Sequence, residues 1–120
     1  MYRPIAKVSF QSPHSDTLWV DTWLIVDSGA DFSILPRYHA HDLGINLEKD
    51  CVIDATQGVG GQQTIYLCKK KISVKIGTIE RKIPLAFFDS DELPALLGRL
   101  GFLETFDVSF QKTHKVTFKN

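Results

Sequence analysis

Trp23-Leu24-Ile25-Val26-Asp27-Ser28-Gly29-Ala30-Asp31-Phe32-Ser33-Ile34-Leu35-Pro36 is the stretch on which the reading of the fold turns. Four apolar residues run into a carboxylate, a hydroxyl and a glycine, and apolar residues resume after them. Such a run reads as a buried strand that breaks into a tight loop and returns to the core. An unpaired carboxylate against an apolar core costs several kcal/mol or is neutralised. A chain that places Asp27 at such a break therefore marks it as a candidate functional group. Asp-Ser-Gly by itself is also an ordinary turn tripeptide, so its meaning depends on what surrounds it.

Upstream, Ile5 to Val20 reads as a hairpin. Val8 and Phe10 lead into the turn-rich Gln11-Ser12-Pro13-His14-Ser15-Asp16, and Leu18, Val20, Thr22 and Leu24 resume with period two. His14 is expected in that turn, exposed. Just downstream, Pro36 and Gly44 bracket Arg37 to Leu43, and proline at the start with glycine past the end predicts a short helix. His39 and His41 stand two apart on it, whereas a metal pair needs a spacing of three or four, so both are expected as solvated surface residues.

Further on, Val52-Ile53 and Ile65-Tyr66-Leu67 flank Gln57-Gly58-Val59-Gly60-Gly61-Gln62, a hairpin whose glycines permit a tight tip. With Val59 and Gly60 as central turn residues, Cys51 faces Cys68. The pair could form a cross-strand disulfide, or remain two neighbouring thiols as a reducing cytosol favours. Ile72 to Ile76 alternates, Gly77-Thr78 turns, and Ile79 to Phe88 is expected to continue as strand with Pro84 at an edge or bulge. Leu93-Pro94-Ala95-Leu96-Leu97 returns to the core, a short helix is expected over 99–106, and a terminal hairpin follows around Lys112-Thr113-His114-Lys115.

In order along the chain stand Ile25-Val26-Asp27-Ser28-Gly29-Ala30, the glycine cluster Gly58-Val59-Gly60-Gly61, and Leu96-Leu97-Gly98-Arg99. With these three motifs the chain resembles the retropepsin-like aspartic proteases, single-lobed enzymes that include the retroviral proteases. The resemblance extends from about Ile5 to Phe106. It implies an all-β fold: a closed acid-protease barrel with a β-hairpin flap and one or two short helices, acting as one domain over residues 1–120. It also implies a homodimer, because a chain of this length supplies one acid loop where the chemistry needs two. Asp27 would be the catalytic acid, with Ser28, Gly29, Ala30, Asp31 and Arg99 supporting its loop, the last through an Asp31–Arg99 ion pair. Ile25, Gly29, Gly58, Val59, Gly60, Pro94 and Leu96 would bind an extended polypeptide. Alanine at position 30 lacks the hydroxyl that often stabilises the ionised acid in two-lobed relatives, which implies a pH optimum nearer neutrality. The helix after Pro36 matches prokaryotic relatives better than retroviral ones, and the ending is longer than the single strand of retroviral members.

Composition bounds the alternatives. The 120 residues, 43% hydrophobic, suffice for one core. Lysine plus arginine balances aspartate plus glutamate at 14 each, so no global field draws nucleic acid or an anionic membrane. The apolar runs are too short to span a bilayer, and no signal-peptide core follows Met1-Tyr2-Arg3-Pro4, so a soluble cytoplasmic protein is expected. Two cysteines without metal-ligand spacing predict no metal, and the chemistry calls for no cofactor. The basic Lys69-Lys70-Lys71, Lys75, Arg81 and Lys82 lack interleaved aromatics and read as charges that block strand association, so no nucleic-acid partner is expected. The rival readings are a homodimer of the same fold that holds peptides without cutting them, and a small nucleic-acid-binding barrel.

Overall fold

The computed structural model describes residues 4–58, 61–101, 107–110 and 116–119. Its elements are β1 (Ile5–Gln11), β2 (Trp19–Val26), β3 (Ser33–Leu35), α1 (Tyr38–Asp42), α2 (Leu47–Asp50), β4 (Cys51–Gly58), β5 (Gly61–Cys68), β6 (Ile72–Ile76), β7 (Ile79–Ile83), β8 (Leu85–Phe88), β9 (Leu96–Leu97), β10 (Asp107–Phe110) and β11 (Val116–Lys119). The chain is thus all-β with two short helices. One nine-stranded sheet has the order β4-β5-β8-β3-β9-β2-β1-β6-β7, and β10-β11 form a separate pair at the expected terminal hairpin. The pairings among the described residues make a linear order with β4 and β7 at its ends, and barrel closure is not among them.

Period-two patterning builds the first hairpin. On β1, Ala6, Val8 and Phe10 are buried while Ile5 and Lys7 face outward, and the β1–β2 register runs from Ile5↔Ile25 to Gln11↔Trp19. The β4–β5 hairpin runs from Cys51↔Cys68 to Gly58↔Gly61, the expected register, with its tip residues Val59 and Gly60 outside the described residues. β7, at one end of the sheet, carries Glu80, Arg81 and Lys82, charges that discourage a further strand from pairing there.

Strand β8 is buried along its whole length because it separates two cores. Leu85 and Phe87 join the larger cluster with Val8, Phe10, Leu24, Val74 and Leu97, while Ala86 and Phe88 pack with Ile34 and Ile65. This division explains why the expected strand from Ile79 to Phe88 is two strands. Before Pro84 the chain pairs with β6, and after it the chain pairs with β3 and β5. Proline offers no N–H to either ladder and sits where the chain changes neighbours.

Two other expectations need adjustment, and one helix is added. His39 is buried, at 7% exposure, because α1 packs that face onto the core beside Ala40, while His41 is exposed as expected. Helix α2 was not anticipated, although its signal is present: the Asn46 side chain accepts hydrogen bonds from the N–H groups of Glu48 and Lys49. At the start of the expected helix over 99–106, residues 99–101 form a turn, with Gly101 at φ 71°, where a Cβ would sit 3.0 Å from Pro84 Cδ. Residues 102–106 lie outside the described residues.

Candidate active site

The acid loop is positioned by a strand inserted between its two shoulders. β9 runs parallel to β2, with Ile25↔Leu96 and Val26↔Leu97, and antiparallel to β3 at Ile34↔Leu96. The ladder continues into the loop itself: the Ile25 N–H donates to the Ala95 carbonyl at 2.9 Å and the Asp27 N–H to the Leu97 carbonyl at 3.0 Å. Asp27 is therefore the last residue held by strand pairing before the chain turns.

Beyond it the loop folds on the Asp27 side chain. The Gly29 N–H donates to Asp27 Oδ1 at 2.9 Å, and the Ala30 N–H donates to the Asp27 carbonyl at 3.2 Å, closing a turn of the kind aspartate favours. A Cβ on Gly29 would lie 3.2 Å from that same Oδ1, so a glycine keeps the carboxylate uncrowded. Among the described residues no donor reaches Oδ2. The side chain is half-buried, and Ser28, Gly29 and Asp31 are exposed beside it.

The far side of the loop is stitched to the segment after β9. The Arg99 N–H donates to the Ala30 carbonyl and the Leu100 N–H to the Asp31 carbonyl, each at 2.9 Å. Arg99 Nη2 donates to Asp31 Oδ1 at 2.8 Å, so the structure brings these two expected partners together. Their side chains remain 48% and 63% exposed, and an ion pair that open to water contributes about 0–1 kcal/mol. In this chain the backbone bonds do more than the ion pair to fix the loop.

Ser33, which the sequence did not mark, and Gly98 of the Leu96-Leu97-Gly98-Arg99 motif complete the seam. Ser33 is fully buried, and its Oγ accepts from the Gly98 N–H at 3.0 Å. Gly98 lies so close to the loop that a Cβ there would sit 2.2 Å from the Phe32 carbonyl oxygen. A hydroxyl at a buried position of an apolar strand was the available signal for Ser33, since such a group needs a partner.

Of the expected binding residues, Ile25 and Leu96 are half-buried and paired beside the acid loop, and Pro94 is exposed just before β9. Gly58 is at the end of β4, 31 residues from Asp27 in sequence and joined to the loop region through β5, β8 and β3. A cavity of about 160 Å³ lies elsewhere, beside the β4–β5 hairpin base, and is lined in part by His14, Lys49, Cys68 and Ile72. No cluster of three or more potential metal ligands occurs among the described residues, and no helix is long and apolar enough to cross a membrane.

In chemical terms Asp27 is a half-buried hydrogen-bond acceptor held where β2 ends, with exposed residues beside it. A sequence model described as aspartyl protease matches residues 19–100, well over half of the chain, from β2 through the Arg99 seam. No curated protein matches the chain.

Proposed function

This chain belongs to the aspartyl protease family, and from that premise we propose that it is a homodimeric aspartic endopeptidase in which residues 1–120 form one lobe and each subunit contributes one Asp27. The observation that carries the reading is the acid loop: Asp27 donates its backbone N–H to the Leu97 carbonyl and its carboxylate accepts from the Gly29 N–H, with Ser28, Gly29 and Asp31 exposed around it. A single copy presents half of a two-acid centre on its surface.

Hydrolysis then follows from the charge balance. Two carboxylates about 3 Å apart cannot both be ionised, so the pair shares one proton. The ionised Asp27 takes a proton from the attacking water, while its protonated counterpart donates to the scissile carbonyl and the proton passes on to the leaving amine. The pair titrates as a unit. Ser28 bonds across the two-fold axis beneath the acids, and Ala30 and the Asp31–Arg99 pair support each loop. The Gly29 carbonyl receives the substrate backbone. Ile25, Val59, Pro94 and Leu96 line apolar pockets, and the hairpin tip at Gly58, Val59 and Gly60 acts as a flap over an extended peptide bound by strand addition. Apolar residues are preferred around the cut. Lacking a hydroxyl at Ala30, the pair works nearer neutral pH than its two-lobed relatives.

The test is cleavage of a diverse peptide mixture across acid to neutral pH, with native chain and Asp27→Asn at several protein concentrations. Asparagine keeps the oxygen that accepts from Gly29 and removes the shared proton. Cuts between apolar residues that disappear in the variant and rise more than linearly with protein concentration are expected. A folded, dimeric sample with no Asp27-dependent cutting would instead indicate a module that holds peptides without hydrolysing them.

A further inference from the structure

Away from the acid loop, Cys51 and Cys68 are directly opposite each other at the open end of the β4–β5 hairpin, both as free thiols, with Sγ atoms 3.8 Å apart. One step outward, the Lys69 N–H donates to the Asp50 carbonyl at 2.8 Å, so that position carries a ladder hydrogen bond. Alternation along an antiparallel ladder makes Cys51 and Cys68 the non-hydrogen-bonded pair, the type whose Cα atoms approach to about 4.5 Å. That spacing falls inside the range of about 4.4–6.8 Å that a disulfide spans. Rotation of the two side chains is enough to join them.

Cys68, the less buried of the two by residue exposure, lines the 160 Å³ cavity. Ile45 and Ile72 give the cavity apolar walls, and Lys49, Lys69 and Lys70 give it three ammonium groups. Lys69 is held in place by donating from Nζ to the Lys49 carbonyl at 2.9 Å, and Lys49 and Lys70 are exposed. The single carboxylate among the lining residues, Asp50, is engaged by His14 Nε2 at 2.9 Å. The cavity thus pairs a thiol with an excess of positive charge.

We propose that Cys68 and Cys51 form a thiol–disulfide exchange site that takes small anionic disulfides, such as glutathione disulfide, through this cavity. Cys68 Sγ, as thiolate, attacks one sulfur of the incoming disulfide, whose S–S bond breaks and releases one thiolate. Cys51 Sγ then attacks Cys68 Sγ, forming the Cys51–Cys68 bond and releasing the second thiolate. Two electrons pass from the protein to the small disulfide, and the two thiol protons end on the two released thiols. The attacking group must be the thiolate. Burial is the main cause that pushes both thiols up from their ordinary range. At Cys68 the neighbouring Cys51 and Asp50 push further up, whereas at Cys51 the hydrogen bond with Cys68 and the Lys69 charge partly offset burial while Asp50 adds to it. His14, Lys49 and Lys70 are the other charged or titratable groups lining the site. Exchange is consequently slow at neutral pH and accelerates as pH rises. The product staples the base of the β4–β5 hairpin, whatever the chemistry at Asp27.

Intact-mass spectrometry of the fully reduced chain under anaerobic glutathione disulfide tests this directly. The native chain should lose two hydrogens, with a Cys51–Cys68 crosslink recovered on digestion and a rate that rises with pH. Cys51→Ser should accumulate a glutathione adduct mapped to Cys68. The double variant Lys49→Gln, Lys70→Gln should slow the reaction on the order of tenfold at low ionic strength, with no change toward the neutral hydroxyethyl disulfide. A native chain that forms no intramolecular disulfide at any pH overturns the proposal, as does a Cys51→Ser chain that carries no adduct at Cys68. Equal rates for the native chain with anionic and neutral disulfides would overturn the role of the cavity.

Discussion

Gly98→Ala is the sharpest test of how the acid loop is held. The added Cβ would stand 2.2 Å from the Phe32 carbonyl oxygen, 2.4 Å from its carbon and 3.0 Å from the Ala30 carbonyl oxygen. All three are backbone atoms of the loop, so no side chain can swing aside, and the segments must part. Overpacking of this kind costs about 1–3 kcal/mol, and the same movement stretches the 3.0 Å bond from the Gly98 N–H to the buried Ser33 Oγ, worth about 1 kcal/mol. We expect a loss of about 3 kcal/mol, which for a chain of this size lowers the melting midpoint by roughly 10–15 °C. In urea the midpoint should fall by about 1.5 M with the slope m unchanged. The assay is denaturation followed by circular dichroism at one fixed protein concentration, because association would make stability depend on concentration. Gly29→Ala is the control: its Cβ meets only the Asp27 Oδ1 at 3.2 Å, the end of a side chain that can turn, and its cost should stay below about 1 kcal/mol. If Gly98→Ala melts within about 0.5 kcal/mol of the native chain, the seam does not clamp the loop.

Other outcomes follow from the same geometry. Asn46→Ala removes the side chain that caps α2 and should cost about 1 kcal/mol in the same denaturation assay; an unchanged midpoint would show that the cap is dispensable. His39 is held below its usual pKa of 6.5, chiefly by burial, with Asp42 and Asp91 opposing. Its unfolded form therefore takes up a proton more readily than its folded form. Stability from this group is intact above the unfolded pKa of 6.5 and declines as pH falls below it. Melting curves over about pH 5 to 8 should show that decline, and His39→Gln should flatten it. Asp31→Asn should change the stability of the single chain by no more than about 1 kcal/mol, since its Arg99 partner is open to solvent. A larger loss that grows with protein concentration would place the pair at a subunit interface.

Patterns confined to short stretches of chain were legible in the sequence: the period-two alternation of Val8, Phe10 and Leu24, the glycine-centred β4–β5 register, the helix between Pro36 and Gly44, and the apolar strand breaking at Asp27. Each is local, since alternation sets which face is buried and turn chemistry sets which residues oppose one another. Association of Asp31 with Arg99 was legible only through resemblance, since the two are 68 residues apart. Only the tertiary structure decided that β9 inserts between β2 and β3, that the chain changes neighbours at Pro84, and that Gly98 presses against the Phe32 carbonyl. It also decided that His39 is buried and that Cys68 borders a cationic cavity. Hydrophobic periodicity states that a face must be covered but not by which distant segment. That choice is made by close packing, where each segment's fit depends on all the others at once.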